Sequence, residues 1–187
     1  MKKAFSLLAF IMLLTSCEHE YVPKPRGYFR IDFPEKKYID YEGKCPFSFE
    51  LPTYSKVELI RSESYDSCWF NIAFPRHKAK LHFTYLPIHN NLQSYLEDSY
   101  TFAFKHEMKA NSISRTQYYN RDSRVTGLIY DIKGNVASHL QFYATDSTDH
   151  FIRGALYFEV IPNQDSLAPV VDFIKADVIN LLETIDW

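Results

Sequence analysis

Between residues 47 and 86 apolar and polar side chains alternate in short runs, a pattern that suits a strand and not a helix. In "CWFNIAF" Cys68, Phe70, Ile72 and Phe74 share one side. In "KLHFTYL" Leu81, Phe83 and Tyr85 lie opposite Lys80, His82 and Thr84. With "FSFEL" (47–51) and "KVELI" (56–60) these predict half-buried strands, and Pro75 to Lys78 predicts the turn between the last two. The period then changes. Leu92, Tyr95, Leu96, Phe102, Ala103 and His106 repeat at helical spacing, and Asn90 with Gln93 reads as a capping box. A second set of strands is expected at 114–120, 125–132, 136–144 and 151–161, with tight turns at Lys133-Gly134-Asn135 and Asp146 to Asp149. A closing helix carries Val170, Phe173, Ile174, Val178, Leu181, Leu182 and Ile185 as its stripe, with Pro169 in its first turn. Strands, helix, strands, helix predicts an α+β domain, one mostly antiparallel β-sheet with helices packed on it. Aromatics at 17% and only five glycines fit a packed, strand-rich domain rather than a disordered one.

The N-terminus sets the compartment. Lys2 and Lys3 precede an apolar run from Ala4 to Leu14, then Leu14-Thr15-Ser16-Cys17. A membrane-crossing helix needs about 20 residues, so this run is too short to span and reads as a secretory signal. Cysteine after the small pair makes the cut a lipobox. Residues 1–16 are then the lipoprotein signal peptide, and Cys17 becomes the lipidated N-terminus, held by acyl chains such as palmitate. Residues 17–27, with Pro23 and Pro25 among charges, form a lipid-anchored tether, and 28–187 a single α+β domain. Removal of the signal leaves 19 Lys and Arg against 23 acids, a formal charge of −4. That mild acidity without a basic tract argues against nucleic-acid partners.

Cys45 and Cys68 remain once Cys17 is lipidated. In an exported chain an even pair is more often bridged than free, so a Cys45–Cys68 disulfide is expected; two buried thiols are the alternative. No C-x-x-C supports redox catalysis.

Chemistry is sparse. His77, His82 and His89 lack metal-ligand spacing and no Cys or carboxylate set completes them, so no metal or other cofactor is expected. "TDSTDH" supplies Ser, His and Asp but crowds them into one turn without an oxyanion hole, and phosphate-loop and dinucleotide motifs are absent. No catalytic residue is assigned, and the chain is read as non-enzymatic. Two stretches could dock a partner. In "PKPRGYFRIDFPEKKY" (23–38) Tyr28, Arg30 and Asp32 interleave with apolar residues; the alternative is a strand leading into the domain with its charges outward. In "TDSTDHFIRGALYF" (145–158) Asp146, Asp149, His150 and Arg153 could converge as a recognition loop; the alternative is an ordinary polar hairpin turn.

The element order and the ending "ALYFEVIPNQDSLAPVVDFIKADVINLLETIDW" resemble the PsbP/Mog1-type α-β-α sandwich, which implies a fold and no function. The lipobox followed by "PKPRGYFRIDFP", "CPFSFELP", "CWFNIAFP", "YDIKGN", "QFYATDSTDHFIRGALYF" and "PNQDSLAP" resembles the gliding motility lipoprotein GldD family from about residue 17 to Trp187. The resemblance implies a lipid-anchored protein of the cell envelope, its domain in the periplasm, needed for gliding motility and linked to type IX secretion. Its partners would be the membrane, through the N-terminal lipid, and other gliding and secretion envelope proteins. It carries over Cys17 as lipid site and no catalytic residue. An accessory or assembly subunit is the leading expectation; a carrier or chaperone for a cell-wall fragment or secreted chain is the second.

Overall fold

The computed structural model describes residues 30–60 and 68–187, so Cys17, Tyr28 and the whole of the signal (1–16) and tether (17–27) assignments lie outside the described residues. Residues 32–187 form one compact unit. In chain order the elements are β1 (Tyr38–Glu42), β2 (Ser48–Pro52), β3 (Lys56–Leu59), β4 (Trp69–Phe74), β5 (Ala79–Pro87), α1 (Leu92–Phe104), β6 (Ala110–Asn120), β7 (Val125–Gly134), β8 (Ser138–Thr145), β9 (His150–Phe158) and α2 (Gln164–Thr184). β3 to β9 build a seven-stranded sheet in the order β3-β4-β5-β9-β8-β7-β6, with every neighbouring pair antiparallel. The α+β expectation therefore holds, with one correction. β1 and β2 pair with each other as a separate two-stranded ribbon, whose Ser48 also bridges Asp186.

The ribbon is separate because it serves as a cover. Leu81, Phe83, Phe142 and Ile152 look out from one sheet face and are buried by Ile174, Val178 and Leu182 of α2 together with Phe47, Phe49 and Leu51 of the ribbon. Aromatic rings fill the gap: Phe70 stacks on Phe83 at 4.6 Å, and Phe47 and Phe49 each lie 5.7 Å from Phe83. Close approach demands glycine at 154. A Cβ there would stand 2.1 Å from the Phe142 ring.

α1 covers the opposite face, over β7 to β9, where Ala103 joins Tyr130, Ile132 and Val136. β8, between both coverings, is buried on both sides, and the layers are α-β-α. Three local expectations fail. Asn90 does not cap α1: it adopts φ +61°, the helix begins after Asn91, and Asn91 Oδ1 instead accepts from the His89 N–H at 2.8 Å. Phe102 is 38% exposed, because Ser99 and Ala103, four apart, take the inward line of the helix. α2 starts earlier than Pro169 suggests, at Gln164. Asn163 caps it by accepting from the Ser166 N–H at 3.2 Å, and Pro169 sits in the second turn, where it removes one helical hydrogen bond.

Candidate functional site

The β8–β9 hairpin was one predicted recognition loop, and its residues do not converge. Asp146 is spent on the turn itself. Its Oδ1 accepts from the backbone N–H groups of Thr148, Asp149 and His150 at 3.0, 3.0 and 2.9 Å, and its Oδ2 from the Thr148 hydroxyl at 2.8 Å. Burial alone would raise this carboxyl, but these donors outweigh it and hold Asp146 below the usual carboxylate range. Asp149 is exposed, and its carbonyl receives the Ile88 N–H. Strand alternation then separates the other two, because residues 150 and 153 differ in parity and point to opposite faces. His150 lies on the α2 side, flat against Trp187 at 5.2 Å, with Nδ1 3.0 Å from the Tyr85 hydroxyl. No carboxylate meets its ring in these contacts, so "TDSTDH" does not assemble a triad.

Arg153 lies on the other face, and there it does find company. Its guanidinium stacks over the Phe102 ring at 4.2 Å and donates from Nη2 to Gln141 Oε1 at 3.1 Å. Burial lowers its pKa from the ordinary value, with Tyr157 and Asp98 acting in the opposite direction. β9, β5 and β4 place Arg153, Thr84 and Trp69 in one row across the sheet, and Ala155, His82 and Asn71 in the next. α1 leaves the β4–β5 part of this face open: Trp69 is 42% exposed, and exposed His82 meets the Tyr157 ring edge-on at 5.2 Å. Phe102 thus stacks on Arg153, and Trp69, His82 and Tyr157 lie on the same face beside it. Of these residues only Arg153 was expected to dock a partner. Trp69 and Tyr157 carried a legible signal, since each is an aromatic on the polar parity of its strand.

Of the other predicted set, Arg30 and Asp32 are exposed, with Arg30 outside the compact unit of residues 32–187. The segment after Asp32 is not a strand but a strap fixed to α2. Phe33 stacks on Phe173 at 4.4 Å. Lys36 Nζ donates to Asp177 Oδ1 and to the Phe173 carbonyl, both at 2.6 Å, and sits over the Phe173 ring at 3.8 Å. Asp177 is 3% exposed and also accepts from the hydroxyls of Tyr38 at 3.0 Å and Tyr54 at 2.7 Å. Burial first, and Asp177 next, push both phenols far above their ordinary values. This quartet around the buried Asp177 is not legible in the sequence because its members are up to 141 residues apart.

Cys45 and Cys68 are joined, with Cα atoms 5.7 Å apart. His77 lies beside the stacked Phe33–Phe173 pair, 5.6 Å from each ring, and burial lowers its pKa. Among the described residues no group of three or more His, Cys, Asp or Glu is gathered as a metal site, and no helix is long and apolar enough to cross a membrane. A recess of about 190 Å³ opens between β7 and α2, lined by Asp131, His139 and Asp172 among others.

A family model described as gliding motility lipoprotein GldD matches residues 18–187. The chain is also similar to the solution structure of cyanobacterial PsbP (CyanoP) from Synechocystis sp. PCC 6803, at 13% identity and a TM-score of 0.48, over 90% of this chain and 97% of that one. No curated protein matches the sequence.

Proposed function

We propose, from the premise that the chain belongs to the gliding motility lipoprotein GldD family, that it works without catalysis, as an accessory or assembly subunit docking on envelope machinery linked to type IX secretion. In this reading Cys17 carries the lipid and the domain faces the periplasm. The observation that carries it is the open sheet face, where Arg153 stacks on Phe102 in one row with exposed Trp69. Arginine and tryptophan with apolar neighbours are the side chains that dominate interface energetics. A carrier for a cell-wall fragment or secreted chain is the second reading: a surface hollow of about 490 Å³ beside Phe47, His150 and Trp187 reaches the size of pockets that enclose drug-sized ligands, about 300 Å³ and above.

The test replaces the native gene with variants Trp69→Ala, Arg153→Ala and the two combined, and measures surface spreading at matched protein abundance. Loss of spreading with the lipid and fold intact supports docking through this face. Normal gliding by the double variant at wild-type abundance overturns it. Cys17→Ser provides the anchor control, with the protein released from membranes or left as unprocessed precursor; an unmodified Cys17 in the intact mass of the mature chain refutes lipidation.

A further inference from the structure

We infer that β6 is an acceptor edge, to which an extended strand of a different protein, bearing acidic side chains, adds by backbone pairing. The surface is distinct from the open face and goes beyond the reading above.

Among the described residues β6 is the last strand of the sheet and pairs only with β7. An antiparallel pair uses the backbone groups of every second residue inward and leaves the alternate set pointing outward. Over 11 residues that is an unpaired rim about 36 Å long. Natural sheets blunt such rims with short strands, lysine, proline, bulges or a covering segment. The opposite edge obeys this rule, because β3 has only four residues. β6 does not. Its sequence "ANSISRTQYYN" has neither lysine nor proline, and its one register shift lies at the extreme start, between Ala110 and Ser112. Side-chain hydrogen bonds tie the two ends, Asn111 to Gln164 and Asn120 to the Glu183 carbonyl. The middle, Ser114 to Gln117, is exposed.

Charge selects the partner. From Lys109 to Arg124 there are four cations (Lys109, Arg115, Arg121, Arg124) and one acid (Asp122). Glu107 precedes them, Asp131 opposite Ser114 is taken by Lys175, and Glu183 lies near Tyr118 on the side away from Arg115, so the positive excess sits on the Arg115 side. An incoming strand with carboxylates beside Arg115 gains from this field, and steering by complementary charge speeds its arrival. A second copy of this chain is disfavoured by the same field, since two-fold pairing sets two basic ribbons side by side. Parity adds a finer requirement: Arg115, Gln117 and Tyr119 share one side, so an acid opposite Arg115 would be followed at alternate positions by a residue that packs on Tyr119, which is 66% exposed.

The experiment uses the full lipoprotein in detergent and peptides of about nine residues, long enough to match a strand: alternating Glu/Val, alternating Lys/Val, and the Glu/Val peptide N-methylated at alternate residues. Amide hydrogen exchange is the readout. The Glu/Val peptide should slow exchange of outward amides within 112–118, with an affinity that falls as salt rises. Arg115→Glu should weaken it about tenfold, while Trp69→Ala should leave it unchanged, which separates this edge from the open face. No protection, equal protection by the Lys/Val peptide, full binding of the N-methylated peptide, or protection that grows with lipoprotein concentration alone would each overturn the proposal.

Discussion

Asp177→Asn probes the strap most directly. The carboxylate is 3% exposed and takes four contacts from three donors: Lys36 Nζ, the Tyr38 hydroxyl, and the Tyr54 hydroxyl on both oxygens. Asparagine keeps the shape but removes the charge and turns one acceptor into an N–H donor. All three donors reach Oδ1, and only the Tyr54 hydroxyl also reaches Oδ2, so the new N–H takes over that one contact while Lys36 loses its counter-charge. Breaking one side of a buried ion pair costs about 3–5 kcal/mol. Here Lys36 remains 30% exposed and can rehydrate, so the lower end, about 3 kcal/mol, is expected. Urea unfolding followed by tryptophan fluorescence measures it, and an ultraviolet phenol titration isolates the cause. In the wild type Tyr38 and Tyr54 resist ionisation well past the ordinary tyrosine range, mainly through burial and next through Asp177. In the variant both should titrate earlier. A midpoint change worth less than about 0.5 kcal/mol, a size typical of surface substitutions, with unaltered phenol titration, would show that the quartet does not hold the strap.

Reduction of the Cys45–Cys68 bond, or Cys68→Ala, should lower stability by about 2–5 kcal/mol in the same urea assay. Gly154→Ala places a methyl 2.1 Å from the Phe142 ring, and the overpacking should cost about 1–3 kcal/mol, with the ring shift visible in aromatic NMR signals. Asp146 gives a pH signature. Its folded-state carboxyl lies below the usual range, so its contribution is present above about pH 4 and is lost as pH falls through the folded value. The stability difference between wild type and Asp146→Asn should therefore shrink on acidification, and a difference independent of pH would refute the assignment.

How far the sequence carried the reading depends on the range of the interaction involved. Strand alternation is local, and Phe70, Ile72, Leu81, Phe83 and Tyr85 are buried on the expected parity. The β8–β9 turn is local too, because Asp146 closes it within four residues. The Cys45–Cys68 bond was legible through compartment logic rather than geometry. What escaped was long-range. Nothing in "YIDYE" says that β1 will leave the main sheet to pair with β2 over the core, nor that Lys36 will reach Asp177. Caps failed for a related reason: Asn90 and Pro169 both suit helix starts, but Asn91 and Asn163 occupy the flanking positions that packing selected.

The failed convergence of His150 and Arg153 shows where function can reside in this fold. Two side chains three apart on one strand cannot share a face, so a docking set must be assembled across strands, by register, and not along the chain. Register brings Trp69, Thr84 and Arg153 into one row from three strands separated by up to 84 residues. That row stays open because α1 covers the β7–β9 part of the face while α2 and the ribbon occupy the other side. Arg153 bridges the covered and open parts, held by Gln141 below and Phe102 above. The same architecture that buries one face completely therefore fixes an arginine at the border of the uncovered one. A partner replacing water there meets a guanidinium already oriented, and loses little of its own binding energy to ordering it.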